Sequence, residues 1–571
     1  MSRMRHAWAS ARRVRGALGT LGAFALAVAF ALVASDALAV IATTKHNLST
    51  SGTGTYHAST ESQICVFCHA PHNAAPTSAL WNRRTPGTTY TPYTSSTSKA
   101  AMGQPTGASL QCLSCHDGTI ALGEVLSRAT AIAMAGGTTL SGSGLLGTDL
   151  SDDHPVSFAY TSALASTRGG LVDPGGLTGR VKLDGAGQMQ CTSCHDPHDD
   201  TNGKFLTVTN LGSALCSTCH IPTGWANSSH KNSGAGWNGT GTNPWPHTSY
   251  TNVSSNGCEN CHRPHAAGGP KRLLNFAGEE TNCYSCHAGT VASKNIQAEF
   301  NKAYKHPIGS TTGVHDPAES AVVNSRHVEC VDCHNSHASQ PTTGGTLAGS
   351  LTGARGVGIA GGETSPVTNE YQICFRCHAD SSGKPAPYTT RQLIQSNLRL
   401  EFSTSNPSYH PVAGPGRNPN VPSLISPLTT ASVISCVDCH NNSTTGGPRG
   451  SHGSTYKALL ERQNITTDNT PESSTAYALC YKCHSRTSLM ADASRFPHHQ
   501  HVADVRAPCN VCHDPHGVGG TLTNNSKLIN FQSGVVTPSS GGILRYESTG
   551  TFQGRCYLTC HGKNHNPYSY R

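Results

Sequence analysis

Residues 191–198 read CTSCHDPH, and variants of this stretch recur along the 571-residue chain. All 24 cysteines belong to such boxes, in which a histidine directly follows the second cysteine. Eleven boxes have two residues between their cysteines, and the last has three. The boxes, numbered here as sites 1 to 12, are Cys65/Cys68/His69, Cys112/Cys115/His116, Cys191/Cys194/His195, Cys216/Cys219/His220, Cys258/Cys261/His262, Cys283/Cys286/His287, Cys330/Cys333/His334, Cys374/Cys377/His378, Cys436/Cys439/His440, Cys480/Cys483/His484, Cys509/Cys512/His513 and Cys556/Cys560/His561.

The histidine of each box identifies the chemistry. In C-x-x-C-H, two thiols form thioethers with a haem and the adjacent imidazole binds the iron. Zinc sites and local disulfides also use paired cysteines, but they require no histidine at this position. With 32 histidines in 571 residues, chance would place one there in fewer than one of twelve boxes. We therefore predict twelve covalent haems c, with site 12 departing from the usual spacing.

The N-terminus indicates export. An arginine-rich start is followed by an apolar run over about residues 17–34 and by small residues suited to cleavage, Ala37-Leu38-Ala39. This order predicts a signal peptide over residues 1–39 and a mature chain that starts at Val40. General secretion would deliver it to the periplasm, the outer membrane or the cell exterior. An uncleaved membrane anchor is the alternative, which the cleavage site disfavours.

The composition predicts that side chains alone cannot build a core. Apolar residues make up 36% and aromatic residues 6% of a chain with 60 glycines and 32 prolines, a balance typical of disordered proteins. Haem would supply the missing apolar surface, so folding should depend on haem attachment. The formal net charge is +8, but the propionates of twelve haems would outweigh it. No nucleic-acid partner is therefore predicted.

The boxes form six pairs, in which the first cysteines are 25 to 47 residues apart. Because each pair has its own local sequence, we expect an elongated series of modules. The predicted modules are residues 40–150 with sites 1 and 2, 151–240 with sites 3 and 4, 241–300 with sites 5 and 6, 301–400 with sites 7 and 8, 401–490 with sites 9 and 10, and 491–571 with sites 11 and 12.

Other histidines are candidates for the second axial position of each iron. Five first boxes continue as His-x-x-His, whereas pair 5 has Ser443 there, and three His-Pro steps precede pairs. These candidates are His72, His198, His265, His337 and His516 in the first group and His154, His306 and His410 in the second. His247 and the cluster His498, His499 and His501 could act like the second group. Lone histidines, such as His46, His57, His230, His315 and His452, fit either ligation or a solvated loop.

The His-x-x-His spacing predicts which haem the second histidine binds. Residues three apart on a helical turn lie on nearly the same face. The second imidazole therefore cannot reach the far side of the haem that its own box holds. We predict that each of these histidines binds the iron of a neighbouring site instead.

The His-Pro step, the CxxCHxPH box and the second CxxCH box together resemble the doubled-CXXCH multihaem cytochromes c, in pieces from about Cys65 to His561. The Gly/Ser/Thr-rich stretches between the boxes have no sustained helical period, so we expect a haem-dominated core with low regular secondary structure, short helices at the boxes, long Gly/Ser/Thr loops and a few β-hairpins. The resemblance implies electron transfer through mostly bis-histidine haems. The implied partners are other cytochromes, an outer-membrane porin, an extracellular acceptor or further copies in a filament.

Two functional classes follow from this resemblance. One is an electron carrier with no catalytic residues, of which a filament subunit is a variant that differs in assembly. The other is a reductase of nitrite, hydroxylamine, sulfite or a similar small oxidant. A reductase needs an iron with an open position beside proton donors. The sequence contains no C-x-x-C-Lys box, and its histidines outnumber the vacant iron positions. We therefore expect an electron carrier.

Overall fold

The computed structural model describes residues 41–72, 74–75, 80–309, 315–322, 327–341 and 347–571. The predicted signal peptide and Val40 lie outside the described residues. The described chain forms two compact units, one running up to Pro222 together with Ser255–Asn275, the other comprising Thr223–Ser254 and Phe276–Arg571. None of the helices in the described part is long and apolar enough to cross a membrane. The division into six haem-pair modules stays a prediction.

Most helices consist of a single turn, because the glycine-rich and proline-rich stretches between the boxes do not support longer ones. The α-helices are Gly107–His116, Ser162–Arg168, Cys191–Cys194, Ala214–Ser217, Ser229–Asn232, Val253–Asn256, Glu279–His287, Ile296–Glu299, Cys330–Cys333, Glu370–His378, Leu398–Glu401, Arg486–Met490, Cys509–Cys512 and Leu522–Asn525. The 3₁₀ turns are Cys65–Phe67, Gly142–Gly144, Pro174–Gly176, Leu211–Ser213, Trp225–Asn227, Gly257–Asn260, Lys271–Leu273, Gly349–Leu351, Cys436–Asp438, Lys457–Leu459, Cys480–Lys482 and Ser526–Leu528, and Gln500–Asp504 is a π-helical turn.

The strands are short as well, and those of two residues pair into two-stranded antiparallel sheets, apart from Val536–Thr537. These paired strands are His57–Ala58 with Met134–Ala135, Phe158–Ala159 with Gln188–Met189, Tyr304–Lys305 with Gly453–Ser454, Gly356–Val357 with Glu363–Thr364, and Ser408–Tyr409 with Gly517–Val518. The larger sheet is four-stranded and antiparallel. In it Gln553–Cys560 pairs with Val536–Thr537, Arg545–Gly550 and Lys563–Tyr570.

The low regular secondary structure, the short helices and the few small sheets confirm that part of the predicted fold. The expectation of a short helix at every box is wrong at site 12. There Cys556 and Cys560 lie on the strand Gln553–Cys560. The longer spacing explains this difference, because residues two and four apart share one face of a strand. Cys556, Leu558 and Cys560 therefore point together into an apolar cluster around Tyr546.

Buried apolar side chains form several separate clusters of three to six residues. The largest contains Val511, Phe531 and Tyr546, and partly buried cysteines of sites 11 and 12 pack against it. Another, around Phe158 and Met189, includes Cys219 of site 4. Since these two clusters lie beside box cysteines, a bound macrocycle would extend both of them. This arrangement agrees with the shortage of apolar residues in the sequence.

A buried arginine holds the loop after site 2 in place. The Arg83 side chain is fully buried. Its guanidinium donates to the carbonyls of Leu122 at 2.8 Å, Ala121 at 3.0 Å and Ser114 at 2.9 Å. These bonds join the loop after site 2 to the helix that carries it.

Arg83→Met should loosen this loop, because it leaves several buried carbonyl groups without a donor. Each such group costs about 1–3 kcal/mol. Hydrogen–deuterium exchange over residues 114–126 should therefore become faster in the variant. Arg84→Met is the matched control, since exposed Arg84 pairs with Glu124 at the surface, where an ion pair contributes at most about 1 kcal/mol. Equal exchange in the two variants would contradict this role of Arg83.

Candidate haem sites

At sites 1 to 11, the box lies on a helical turn. At site 3 the helix Cys191–Cys194 ends at His195, whose backbone N–H donates to the Cys191 carbonyl at 2.9 Å. The same bond runs from His69 to Cys65 at 2.8 Å. Positions one helical turn apart share a face of the helix. The two thiols and the imidazole of a box therefore emerge on one side of the backbone, as attachment of one macrocycle requires.

Cys261 and Cys377 illustrate the two positions that the second cysteine of a box takes relative to its helical turn. Cys261 of site 5 lies directly after the 3₁₀ turn Gly257–Asn260, and its backbone N–H donates to the first cysteine of the box at 3.2 Å. Cys377 of site 8 lies inside the longer helix Glu370–His378, near Cys333 of site 7. Both side chains are partly buried. The structure places both beside their box histidines, but haem attachment at Cys261 and Cys377 stays a prediction from the sequence.

A hydrogen bond to a backbone carbonyl fixes the ring of many box histidines. His116 Nδ1 donates to the Gly144 carbonyl at 2.7 Å. At sites 3, 5, 7, 9 and 11, the corresponding acceptors are the carbonyls of Lys204, Arg272, Ser350, Ala458 and Lys527, at 2.8 to 2.9 Å. A neutral imidazole carries one N–H, so a proton on Nδ1 leaves the Nε2 lone pair available to a metal.

Burial keeps the imidazoles in the form that binds metals. It lowers the pKa of His378 and His484 to about 4, so both are neutral at pH 7. None of the 24 cysteines forms a disulfide. Reduced thiols beside a neutral imidazole with an available Nε2 are the donor set that covalent haem c needs. The residues of the boxes therefore fit this cofactor.

Nine box histidines each face a second histidine ring, with 6.1 to 6.5 Å between ring centroids. An imidazole nitrogen binds a first-row metal at about 2.0–2.1 Å, so two rings on opposite sides of one iron would have centroids about 6 Å apart. In site order the pairs are His69 with His198, His116 with His46, His195 with His265, His220 with His154, His287 with His230, His334 with His452, His378 with His306, His440 with His516, and His484 with His410.

Three of the His-x-x-His residues face the first site of the preceding pair, and each thus faces a box other than its own. His198 of pair 2 faces site 1, His265 of pair 3 faces site 3, and His516 of pair 6 faces site 9. His72 is exposed, and among the described residues it makes no ring contact. His337 is also exposed, and its ring lies edge-on to Trp225.

The three His-Pro histidines face the second site of the pair that follows them. His154 faces site 4, His306 faces site 8 and His410 faces site 10. Proline disfavours helical backbone in the residue before it. In agreement, His306 and His410 directly follow the two-residue strands Tyr304–Lys305 and Ser408–Tyr409. Each side chain is thereby carried on extended backbone to the far side of a box.

A recurring hydrogen bond connects the candidate ligands in pairs. The distal histidine of a second site bonds to the carbonyl of the residue that immediately precedes another candidate histidine. His306 Nδ1 donates to Ser451, beside His452, at 2.7 Å. The same contact joins His46 to Pro197, His230 to Ser336 and His410 to Pro515. In the cluster before pair 6, His501 Nδ1 bonds to the carbonyl of Pro497, which precedes His498. At His154 the backbone N–H makes the bond, to the Pro264 carbonyl at 2.8 Å.

Three of these candidates had no local pattern to distinguish them from solvated loop residues. His46, His230 and His452 face the boxes of sites 2, 6 and 7. His452 takes the place of the His-x-x-His residue that pair 5 lacks, where the sequence has Ser443. The surplus of histidines was the only signal in the sequence, because the partners of these residues lie far away along the chain. His57 instead bonds through Nδ1 to the Gly54 carbonyl.

Two distal histidines have a carboxylate as their Nδ1 partner. His265 Nδ1 lies 3.0 Å from Asp153, and His516 Nδ1 lies 2.9 Å from Glu401. Although burial by itself lowers the pKa of His516, the bond to Glu401 raises it above its ordinary value. A carboxylate in this position increases the basicity of a metal-bound imidazole. Sites 3 and 9 therefore have the more electron-rich ligand.

The thiols of consecutive sites also contact one another. The Cys112 thiol of site 2 lies beside the Cys191 thiol of site 3, and this contact raises the pKa of Cys112 and lowers that of Cys191. The same contact joins site 4 to site 5, site 8 to site 9 and site 10 to site 11, through Cys216 and Cys258, Cys374 and Cys436, and Cys480 and Cys509. Within pair 1, burial and then the nearby Cys115 thiol raise the pKa of Cys68 to about 12. At these steps the attachment points of successive sites are neighbours in space.

Pair 6 differs at its second site. His561 Nε2 lies 2.8 Å from a carboxylate oxygen of Asp468, so this ring faces an acidic group. At site 11, burial and then the neighbouring imidazole of His498 lower the pKa of His513 to about 4. The cluster before pair 6 therefore places His498 near the box of site 11. Haem at site 12 stays a prediction from the sequence.

Comparison with known proteins identifies related sequences. The family model described as "Doubled CXXCH motif" matches residues 185–224, 251–292 and 427–489. The chain is also 25% identical over 206 residues to the multiheme cytochrome MtrA of Shewanella baltica (strain OS185). That match covers 34% of this chain and 44% of the relative, so the chain spans less than half the length of that protein.

His198→Ala should affect site 1 and leave site 3 unchanged, because His198 faces His69 and His265 faces His195. We expect one haem to become high-spin, as detected by electron paramagnetic resonance, while the number of attached haems stays constant. His72→Ala is the matched control, because His72 occupies the same position after the box of site 1 but its ring contacts no other ring in the described part of the chain. A high-spin haem at site 3 would contradict the assignment.

Glu401→Gln should raise the reduction potential of site 9, because it removes a negative charge that stabilises ferric iron through His516. Such partners change metal affinity by 10-fold or more, and a 10-fold change in the ferric-to-ferrous affinity ratio corresponds to about 59 mV. Spectroelectrochemical titration should show one component shifted upward by about this amount. Glu61→Gln, which removes a surface carboxylate paired with Arg128, should leave the titration unchanged. A downward shift would refute the argument.

Proposed function

Because the chain belongs to the doubled-CXXCH family of multihaem c-type cytochromes, we propose that it carries electrons along a series of covalent haems, twelve in all. Each bound haem supplies a one-electron couple, whose potential the axial ligands and their surroundings set. The polypeptide fixes the order of the haems and the ligands of each iron.

The contact between successive boxes is the observation that carries this proposal. Within pair 1 the second cysteines, Cys68 and Cys115, lie close together, and between pairs the first cysteines, such as Cys112 and Cys191, are in contact. The contact between first cysteines recurs from site 4 to site 5, from site 8 to site 9 and from site 10 to site 11. Since each thiol is an attachment point, these contacts favour macrocycles that lie beside one another at those steps.

The link between sites 6 and 7 is made by a carboxylate. Glu279, at the start of the helix of site 6, accepts the backbone N–H of Val331 in the box of site 7 at 3.4 Å. Glu370 of site 8 accepts the N–H of Val437 in site 9 at 2.9 Å in the same way. The second box of one pair thus holds the first box of the next pair, which favours one continuous series within the second unit.

Paired imidazoles favour electron transfer over catalysis. A reductase must leave one iron position open to its substrate. The nine facing histidine pairs would fill both axial positions at sites 1 to 4 and 6 to 10. Strong CO binding by several reduced haems, or rapid nitrite turnover, would instead favour the reductase.

We further propose that the exported protein works in the periplasm, at the outer membrane or outside the cell. Its partners would be other cytochromes, an outer-membrane porin or an extracellular acceptor. Self-assembly into a filament differs from these only in the partner, which is then a second copy. Electron microscopy of the purified holoprotein distinguishes separate particles from filaments.

Interrupting the series should abolish long-range conduction. Replacing Cys480 and Cys483 by Ser removes the haem of site 10, and the current through single holoproteins held between two electrodes should fall sharply. The matched control replaces Cys556 and Cys560 by Ser, which removes a haem at the end of the series. Pyridine haemochrome assay verifies that each variant lacks no more than that haem. Equal losses of current in both variants would contradict a serial path.

A further inference from the structure

We propose that His315, His327, Glu329 and Asp332 form a binding site for one divalent transition-metal ion, such as Zn²⁺, separate from the haem sites. One potential ligand atom of each residue lies within 4.8 Å of the others. The site lies directly before and inside the box of site 7. It is independent of the proposed electron transfer, since His334 and His452 face each other at that site.

The distances between the ligand atoms match those around a small metal ion. His315 Nδ1 lies 3.4 Å from Glu329 Oε2 and 3.3 Å from Asp332 Oδ1. His327 Nε2 lies 3.8 Å from Asp332 Oδ2. Ligands bound tetrahedrally to zinc at about 2.0–2.2 Å lie about 3.3–3.6 Å from one another. Small side-chain adjustments would therefore place all four atoms on one ion.

Burial makes these groups unusual for a solvated acidic cluster. Glu329 is 7% exposed and Asp332 is 5% exposed. Glu329 Oε2 is fully buried and, among the described residues, accepts no hydrogen bond. A buried carboxylate oxygen without a donor is costly, and a metal ion in the cluster would satisfy it.

The charges facing the cluster also favour a divalent cation. Glu319 adds a third carboxylate, with an oxygen 3.0 Å from His327 Nε2. Arg376 contributes one guanidinium, 3.2 Å from Asp332. When the three carboxyl groups are ionised, as metal binding requires, they exceed the one guanidinium by two negative charges. Behind the cluster, Glu279 accepts the backbone N–H of His315 at 3.2 Å and adds further negative charge.

The donor types restrict the kind of metal. Two imidazole nitrogens with carboxylate oxygens suit zinc and other first-row transition metals, whereas calcium and magnesium prefer oxygen ligands alone. The ligands span residues 315 to 332, so a bound ion would tie the segment before site 7 to the helix Cys330–Cys333. We assign it a structural role, in which it holds that helix in position.

Zinc binding by the holoprotein tests the proposal. The protein is stripped with EDTA, loaded with Zn²⁺, dialysed and analysed for metal by mass spectrometry. One retained zinc per chain is expected, with nitrogen and oxygen neighbours at the zinc absorption edge. The double variant His315→Ala, His327→Ala should lose this zinc, whereas His57→Ala, a matched control outside the cluster, should retain it.

Glu329→Gln provides a second variant that preserves the side-chain volume. It should weaken zinc binding at least about 10-fold, the loss typical for disturbing a metal site, with an unchanged haem count. Zinc content that is the same in wild type and both variants would overturn the proposal. So would a new high-spin haem in the histidine variant, because these histidines would then be haem ligands.

Discussion

The hydrogen bond from imidazole Nδ1 to a backbone carbonyl is the interaction on which the candidate sites depend. It places the single proton of a neutral ring on Nδ1 and leaves Nε2 for the metal. On the proximal side it joins the box to a nearby loop, as His116 joins Gly144. On the distal side it joins segments far apart in sequence, as His306 joins Ser451. In a chain with small apolar clusters, these bonds fix the loops as well as the ligands.

The sequence predicted the features that depend on local spacing. C-x-x-C-H closes one helical turn whatever the intervening residues are, so the helical boxes of sites 1 to 11 followed from the motif. The surplus of histidines likewise predicted two imidazoles for most irons, although it did not say which. His46 and His452 could not be assigned, because their partners, Pro197 and His334, are set by tertiary structure. Contacts between residues so far apart along the chain produce no periodic pattern in the sequence.

Site 12 shows how strongly the local structure depends on that spacing. The additional residue in this box increases the separation of its two cysteines from three positions to four. Its neighbours, Tyr557 and Thr559, favour extended backbone, and the strand places Cys556 and Cys560 on the face that carries buried Leu558. His561 then lies beside the carboxylate of Asp468, whereas many of the other box histidines have a backbone carbonyl as their ring partner. Cys556 and Cys560 remain close together, but the Nε2 atom of His561 faces a carboxylate.

The contacts between boxes suggest why so little regular structure is sufficient. Several links join a box to the next one along the chain, through a thiol contact such as that of Cys480 with Cys509 or a carboxylate such as Glu370. Each haem would then complete the apolar surroundings of its neighbours as it is attached. Because attachment points are neighbours, the geometry that stabilises the polypeptide is the same geometry that electron transfer requires. Selection for short distances between haems and selection for a stable fold therefore act on the same residues.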